Sequence, residues 1–204
     1  MSAVFIVDDD PSFLKSTSRL LRASGYEARA FASAEEFLRA VTPEARGCLL
    51  LDLQMPGMNG LELQEMIVGA GIAMPIIFLT GQGDIPTSVH AMRRGADDFL
   101  TKMAPADVLL AAIERALARE ARERRAHERL DELRRRFATL TEREREVLGH
   151  VVRGRMNKQI AADLGINERT VKLHRTNITR KTQMQSVAEL TRSATEAGLL
   201  EHGT

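Results

Sequence analysis

The feature that most constrains the fold of this 204-residue chain is a short apolar run that ends in one carboxylate. Residues 48–51 have the length and hydrophobicity of a strand buried on both faces, and Asp52 follows them directly. A proline-glycine pair at 56–57 then breaks the backbone, and Asn59 is suited to cap a helix that begins at Leu61. This order predicts a parallel sheet, in which functional residues collect where strands end.

The alternation of short apolar runs with helical stretches recurs along the first 120 residues. Short connections between these elements predict a flavodoxin-like α/β fold, a doubly wound five-stranded parallel sheet of order 2-1-3-4-5 with helices on both faces. The predicted strands are residues 4–7, 26–31, 48–51, 76–79 and 98–100, and the predicted helices are 12–24, 33–41, 61–68, 87–94 and a last one opened by Pro105.

Polar residues follow four of the predicted strands: Asp8 and Asp9, Asp52, Thr80 and Lys102. The carboxyl ends of parallel strands line one edge of a sheet, so these side chains should share one crevice. Clustered carboxylates repel each other unless a cation is present, and oxygen ligands suit Mg²⁺. The set predicts phosphoryl transfer to Asp52 as nucleophile, with Thr80 and Lys102 contacting the phosphoryl group. A solvated acidic rim without chemistry is the alternative.

Four stretches, in this order, resemble the receiver domain of two-component response regulators. The resemblance covers about residues 3–120 and implies Asp52 as phosphoacceptor. It also implies Mg²⁺ held by Asp9, Asp52 and the backbone carbonyl of Gln54, with Asp8 assisting through water. Thr80 and Phe99 match the family's switch pair. The stretches are Phe5-Ile-Val-Asp-Asp-Asp, Leu49-Leu-Leu-Asp-Leu-Gln-Met-Pro-Gly-Met-Asn-Gly, Phe78-Leu-Thr-Gly-Gln-Gly-Asp and Asp98-Phe-Leu-Thr-Lys.

One position departs from that family. Receivers usually have proline directly after this lysine, commonly with a cis peptide, whereas here Met103 follows Lys102 and proline comes at Pro105. A cis bond before a non-proline residue costs roughly 2.5 to 4 kcal/mol, so a trans or reshaped loop is expected. Whether Lys102 is still aimed at the acids is left open by the sequence.

Residues 106–138 are helical in pattern and contain neither proline nor glycine. Charged residues dominate 119–129, and apolar residues then resume a 3-4-3 spacing at Leu130, Leu133, Phe137 and Leu140. We expect a receiver over residues 1–120, a solvated helical linker over 121–138 and a second domain over 139–204. A short dimeric coiled coil is the alternative for the linker, although the seam is brief.

The charge balance changes along the chain. Residues 1–118 carry 10 Lys and Arg against 15 Asp and Glu, while residues 119–204 carry 19 against 13. An acidic front and a basic back indicate two domains with different partners, and the basic one makes nucleic acid a candidate.

The second domain reads as four short helices. Thr141 with Glu144 forms a capping box for the first, and Asn157 is expected to cap the second. A glycine turn at 165–167 ends in Asn167, which is expected to cap the third helix, and Ser186 is expected to cap the fourth. Two short helices joined through a glycine turn are typical of a helix-turn-helix.

The third helix of this domain has two different faces. Val171, His174 and Ile178 share the face expected to be buried. An exposed basic and polar face suits a helix in the DNA major groove, and a merely solvated face is the alternative. The exposed face comprises Arg169, Lys172, Leu173, Thr176 and Arg180.

Four further stretches resemble the LuxR-type helix-turn-helix: Leu140-Thr-Glu-Arg-Glu-Arg-Glu-Val-Leu, Asn157-Lys-Gln-Ile-Ala, Leu164-Gly-Ile and Thr170-Val-Lys-Leu-His. Together with the receiver, the chain resembles the NarL/FixJ family of response regulators. The resemblance implies that Lys172, Leu173 and Thr176 read bases, while His174 fits a phosphate contact and a packed structural histidine equally well. The other implied phosphate contacts are Lys158, Thr170 and Lys181.

The resemblance implies a transcriptional regulator that a sensor histidine kinase phosphorylates. Phosphorylation is expected to favour a homodimer through the fourth predicted helix, the fifth strand and the fifth predicted helix, and so to promote binding to promoter DNA. RNA polymerase is a further candidate partner. We expect no enzymatic activity beyond the receiver's own phosphoryl transfer and dephosphorylation.

We expect a cytoplasmic protein without membrane contact. Neither a bilayer-spanning apolar run of roughly 20 residues nor a basic signal-peptide start is present. The single cysteine fits a reducing compartment.

Two alternative functions stay open. The first is a DNA-binding protein with a pseudo-receiver that is never phosphorylated. The second is an aspartate-nucleophile phosphatase, which is disfavoured because Gln54 stands where haloacid dehalogenase enzymes have a second acid.

Overall fold

The computed structural model describes residues 3–81 and 95–199. The chain divides into two compact units, Met1–Glu123 and Arg124–Thr204. Each unit is described by itself below.

The first unit is built on a five-stranded parallel sheet of order β2-β1-β3-β4-β5, which confirms the predicted topology. The predicted helix over 87–94 lies outside the described residues, so α4 here denotes the helix that was predicted as the fifth. The strands are β1 (Ala3–Val7), β2 (Glu27–Phe31), β3 (Cys48–Asp52), β4 (Ile76–Thr80) and β5 (Asp98–Thr101), and the helices are α1 (Pro11–Ala23), α2 (Ala34–Ala40), α3 (Gly60–Gly69) and α4 (Ala106–Ala138).

Side-chain caps fix where the first and third helices begin. The Asp10 carboxylate accepts hydrogen bonds from the backbone N–H groups of Ser12 (2.8 Å) and Phe13 (3.3 Å) at the start of α1. Asn59 and Glu62 form a reciprocal capping box at the start of α3. Both caps satisfy donors that a helix leaves without partners, and both lie directly after a strand and its loop.

The central strands are buried on both faces, as their continuous apolar sequences predict. Alternate residues of β3 point to opposite sides, so Leu51 packs in a cluster with Phe37 while Leu50 and Cys48 pack in a cluster with Ile113. Burial raises the pKa of the Cys48 thiol to about 12, which leaves the side chain as apolar packing.

A close backbone approach brings α3 up to the end of β3. A side chain at Gly60 would bring its Cβ to 2.3 Å from the Asp52 carbonyl oxygen and 3.1 Å from the Phe78 ring. Only glycine fits, and its N–H donates to the Leu53 carbonyl at 3.1 Å. The loop after Asp52 is therefore short and firmly held.

The second unit contains four short helices that follow the C-terminal part of α4, as predicted. Thr141 with Glu144, Asn167 and Ser186 provide the predicted caps. The helices are α5 (Glu142–Val152), α6 (Asn157–Leu164), α7 (Glu168–Thr182) and α8 (Val187–Glu196).

The predicted cap at Asn157 is wrong. Met156 is the N-cap residue of α6, and its N–H donates to the Gln159 side chain at 2.9 Å. Asn157 is the first helical residue, and its side-chain oxygen instead accepts a hydrogen bond from Arg175 at 3.1 Å. A tertiary partner thus occupies the oxygen that would have capped the helix.

The end of the predicted solvated linker is packed. Leu133 and Phe137, both in α4, are buried together with Leu140 in the core of the second unit. The i, i+4 spacing of Leu133 and Phe137 places both on one face of the helix, and that face covers the core. The expectation of a solvated segment therefore fails for these residues.

Among the described residues, we find no helix that combines the length and the hydrophobicity needed to cross a membrane.

Candidate functional site

Three carboxylates converge at the carboxyl edge of the sheet. Asp8 follows β1, Asp9 comes next, and Asp52 ends β3, which pairs with β1 in parallel register. One oxygen from each carboxylate lies within 4.8 Å of the other two. Asp8 and Asp52 are 1% and 4% exposed, whereas Asp9 is exposed.

Backbone donors hold the two buried acids. Asp8 accepts a hydrogen bond from the N–H of Asp10 at 2.9 Å, and Asp52 accepts one from the N–H of Gln54 at 3.3 Å. Burial raises the pKa of Asp8, and hydrogen bonds from Lys102 and Asp10 only partly offset it. The ionised form of Asp8 is therefore disfavoured in the folded protein, chiefly because the carboxylate is removed from water.

Lys102 joins the acids from the end of the neighbouring strand. Its Nζ lies 2.7 Å from Asp8 Oδ2 and 2.9 Å from Asp52 Oδ2, and its N–H donates to the Thr80 carbonyl at 2.8 Å. Burial acts to lower the pKa of Lys102, but hydrogen bonds to Asp8 and Asp52 and the charges of both carboxylates raise it overall. Within the described part of the chain, one ammonium thus contacts two carboxylates that lie beside a third, and negative charge is in excess.

Met103 does not turn Lys102 away from the acids. Every peptide bond among the described residues is trans, and the N–H of Ala104 donates to the Thr101 carbonyl at 2.9 Å to close the turn. The Met103 side chain is 87% exposed. The ammonium reaches both carboxylates without proline in the next position.

The predicted switch residues lie on adjacent strands. Thr80 is buried at the end of β4 and pairs in register with Thr101. Phe99 is half-buried opposite Phe78 in the same ladder, with ring centroids 6.4 Å apart. The structure thus brings Asp8, Asp9, Asp52 and Lys102 into contact range, with Thr80 at the adjoining strand end.

Sequence reasoning missed one neighbour of this pocket. The Phe13 ring lies with its centroid 5.0 Å from Lys102 Nζ, within the range of a cation–π contact. Phe13 sits in the first turn of α1, just after Asp10. Its position close to the acids in the sequence is the signal that could have indicated this contact.

The second candidate site is the surface of the helix-turn-helix formed by α6 and α7. Gly165 adopts a left-handed conformation (φ 63°) at the turn, which favours glycine. Val171 and Ile178 are buried as predicted, and half-buried His174 has an Nδ1 atom without a hydrogen-bond partner among the described residues. The exposed members of the predicted surface are Lys158, Arg169, Lys172, Leu173, Thr176 and Arg180.

Two predicted DNA contacts are engaged within the protein. The Thr170 hydroxyl donates to the Asn167 side chain at 2.9 Å. Lys181 Nζ lies 2.7 Å from a Glu144 carboxylate oxygen and donates to the Thr139 carbonyl at 3.2 Å.

Glu144 is buried and was predicted only as part of a helix cap. Burial acts to raise the pKa of Glu144, but the hydrogen bonds from Lys181 and Thr141 lower it overall. The negative charge of Glu144 is therefore balanced by Lys181 within the second unit, and the Lys181 ammonium contacts Glu144 and the Thr139 carbonyl.

Family models match both units. The response regulator receiver domain matches residues 4–114, and the luxR family of bacterial regulatory proteins matches residues 138–194.

Curated relatives match nearly the whole chain. The response regulator protein TodT of Pseudomonas putida is 44% identical over 191 residues, which cover 94% of this chain and 84% of TodT. Nodulation protein W of Bradyrhizobium diazoefficiens is 41% identical over 98% of this chain and 88% of its own length. The transcriptional regulatory protein FixJ of Azorhizobium caulinodans is 41% identical over 96% and 93%.

Solved structures are similar as well. The response regulator StyR has a TM-score of 0.91 and 46% identity over 96% of this chain and 98% of its own. Full-length FixJ from B. japonicum has a TM-score of 0.60 and 35% identity over 98% of each chain. With a receiver and a LuxR-type DNA-binding domain in one chain, the protein belongs to the NarL/FixJ family of response regulators, the transcriptional regulators of two-component systems.

Proposed function

We propose that this regulator is switched by phosphorylation of Asp52. The observation that carries the proposal is the charge imbalance of the pocket: among the described residues, the Lys102 ammonium contacts Asp8 and Asp52, and the Asp9 carboxylate lies beside them without a second ammonium. Such a pocket favours an incoming cation and, beside it, a group that carries oxygen ligands.

The donor set fits Mg²⁺, because all of the candidate ligands are hard oxygen atoms. Asp8, Asp9 and Asp52 with the backbone carbonyl of Gln54 are the residues that we propose hold it, with Asp8 acting through water. When bound, the ion supplies positive charge that offsets the repulsion between the carboxylates and an incoming phosphoryl group.

The residues themselves divide the remaining work. An Asp52 carboxylate oxygen forms a bond to phosphorus while the bond from phosphorus to the donor's leaving group breaks. The Lys102 ammonium moves from the Asp52 carboxylate to the phosphoryl oxygens and pairs with them. The Thr80 hydroxyl donates a hydrogen bond to one of these oxygens. Phe99 is the proposed aromatic partner of Thr80, and the rearrangement biases the face that carries β5 and α4.

A sensor histidine kinase is the proposed phosphodonor, and this assignment follows from the family. Phosphorylation then favours a homodimer through the predicted helix at 87–94, β5 and α4, and two DNA-binding domains engage two half-sites of promoter DNA. RNA polymerase is a further proposed partner, and a cytoplasmic location follows from access to promoter DNA. The proposed domains are the receiver at 1–120, the helical linker at 121–138 and the DNA-binding domain at 139–204.

The proposed DNA surface is the exposed face of α7 with the start of α6. Lys172, Leu173 and Thr176 are proposed to read base edges, while the remaining contacts are to phosphates. The proposed phosphate contacts are Lys158, Thr170, His174 and Arg180, with Lys181 as the weakest member because it is paired with Glu144.

The test compares wild-type protein with Asp52→Asn in selection of fragmented genomic DNA, with and without acetyl phosphate and Mg²⁺. Wild type should enrich a discrete set of fragments only with the phosphodonor, and its mass by size-exclusion chromatography with light scattering should rise to that of a dimer. Equal enrichment by both proteins, with or without the donor, would instead support a pseudo-receiver.

A further inference from the structure

We propose that the aromatic ring of Phe13 positions the Lys102 ammonium for phosphoryl transfer. The inference rests on the proposed transfer to Asp52 and adds a residue to it. Phe13 does not touch the reacting atoms and acts only through Lys102, so it is a positioning residue.

Three groups surround the ammonium. Lys102 Nζ lies 2.7 Å from Asp8 Oδ2, 2.9 Å from Asp52 Oδ2 and 5.0 Å from the centroid of the Phe13 ring. A lysine ammonium within about 6 Å of a ring face is attracted by the ring quadrupole, more strongly where water is partly excluded. The Lys102 side chain is 18% exposed, so this contact lies in a largely desolvated position.

Of these three partners, Asp52 is the proposed phosphoacceptor and Asp8 a proposed metal ligand, so the ring is the partner that takes part in neither step. Once Asp52 is phosphorylated, its negative charge lies on the phosphoryl oxygens, and the ammonium must follow that charge. A flexible lysine side chain loses rotamer freedom when it is held in one place. A fixed ring beside it limits the space that the ammonium can search.

The backbone around Lys102 gives a reason for such a support. Most receivers have proline after this lysine, whereas here Met103 is 87% exposed and the turn is closed by the N–H of Ala104. Proline restricts its own φ and the conformation of the residue before it. Without that restriction, the direction of Lys102 depends more on its side-chain partners.

Phe13 is well suited to be such a partner. It belongs to the first turn of α1, which Asp10 caps through the N–H of Phe13 at 3.3 Å, so the ring is anchored to the segment that carries the acids. The ring also borders a cavity of about 220 Å³, which Leu20 and Lys102 line as well. A smaller side chain at position 13 should therefore be accommodated without loss of the fold.

The experiment measures the initial rate of Asp52 phosphorylation by acetyl phosphate at saturating Mg²⁺ in four full-length proteins. Phe13→Leu should react roughly 3- to 10-fold more slowly than wild type, and Phe13→Tyr should stay within about twofold because it keeps the ring. Leu20→Ala is the matched control, since it removes bulk from the same cavity without touching the ammonium, and its rate should equal that of wild type.

A second measurement reports the geometry without any reaction. In metal-free protein, the ring current of Phe13 should shift the ε-methylene proton resonances of Lys102 upfield in ¹H–¹³C spectra. The shift should be lost in Phe13→Leu and retained in Phe13→Tyr and Leu20→Ala. In the Phe13→Leu background, Met103→Pro should recover most of the lost rate if both residues act on the direction of Lys102.

Three outcomes would overturn the inference. These are an unchanged rate in Phe13→Leu, an equal loss in Leu20→Ala, and an unshifted Lys102 resonance in wild type. If wild type forms no phosphoryl adduct at all, the proposal of phosphoryl transfer to Asp52 fails. If wild type forms the adduct and one of the three outcomes above is observed, only the role of Phe13 is contradicted.

Discussion

Both units of this protein contain a lysine within 2.7 Å of a buried carboxylate, yet the two pairs differ in charge balance. Lys102 contacts Asp8 and Asp52 beside Asp9, so residues 3–81 and 95–199 place one positive charge against three negative ones. Lys181 serves Glu144 alone, in a pair that the cap of α5 completes. Burial raises the pKa of Asp8 more than the hydrogen bonds from Lys102 and Asp10 lower it, whereas at Glu144 the hydrogen bonds from Lys181 and Thr141 outweigh burial and lower the pKa.

The difference separates two uses of the same interaction. A balanced buried pair can hold two elements together, because every charge has its partner. An unbalanced cluster costs folding free energy and keeps affinity for a further cation and an anionic group. The charge count around each lysine, more than the distance, distinguishes the candidate site from a structural contact.

The largest effect is expected for removal of the lysine from the unbalanced cluster. Lys102→Met should slow phosphorylation of Asp52 by acetyl phosphate about 100-fold, because a positioned charge that meets the transferred group is lost. Mg²⁺ should bind more tightly by calorimetry, since a competing positive charge is gone. Lys15→Met, on the exposed side of α1, is the control and should match wild type.

The balanced pair should instead control stability. Glu144→Gln should lower the free energy of opening of the second unit by about 1 to 3 kcal/mol, measured by hydrogen exchange with mass spectrometry. This loss of free energy is modest because the Lys181 side chain is 27% exposed and can regain contact with water. Glu146→Gln removes an exposed carboxylate from the same helix and should change this free energy by less than about 0.5 kcal/mol.

This stability difference depends on pH in a defined direction. Folding lowers the pKa of Glu144, so its contribution is present above the ordinary value of 4.5 and is lost as pH falls through the folded pKa. The free energies of opening of wild type and Glu144→Gln should therefore become equal in acid. A difference that persisted there would show that the cost of the substitution is not electrostatic.

The stability contribution of Asp8, in the unbalanced cluster, should depend on pH in the opposite direction. Folding raises the pKa of Asp8, so protonation favours the fold below the ordinary value of 3.8 and this gain is lost as pH rises through the folded pKa. Asp8→Asn should therefore stabilise the metal-free first unit at pH 7 by on the order of 1 kcal/mol, and not in acid. Asp10→Asn is the control and should leave the stability unchanged, since aspartate and asparagine both cap a helix well. Destabilisation by Asp8→Asn at pH 7 would contradict the claim that the ionised Asp8 carboxylate costs folding free energy.

The smallest effect concerns DNA binding. Lys181→Met should reduce the magnitude of the slope of log affinity against log salt by much less than about 1, because pairing with Glu144 already offsets most of the lysine's charge. Lys158→Met, in an exposed position, should reduce the magnitude of that slope by about 1. An equal reduction for the two variants would contradict the place of Lys181 as the weakest phosphate contact.

Local patterns were sufficient to predict much of the fold. Continuous apolar runs predicted β3 and β4 because both strands are buried on two faces. Asn59, Thr141 and Ser186 were recognisable as caps because a cap depends on a few neighbouring residues. The position of the acids and Lys102 at one edge of the sheet followed from the predicted topology, whereas the direction of the Lys102 side chain did not.

What the sequence did not show depends on contacts between distant residues. Asn157 failed as a cap because Arg175, 18 residues away, takes its oxygen. The pair of Lys181 with Glu144 spans 37 residues, and the contact of Phe13 with Lys102 joins two ends of the first unit. Spacing rules describe one element at a time and carry no information on such partners.

The most direct test of the central claim is the intact mass of the protein after incubation with acetyl phosphate and Mg²⁺, beside Asp52→Asn under the same conditions. The account predicts one added phosphoryl group on wild type and none on the variant. No adduct on wild type, or an equal adduct on both proteins, would contradict the assignment of Asp52 as the phosphoacceptor.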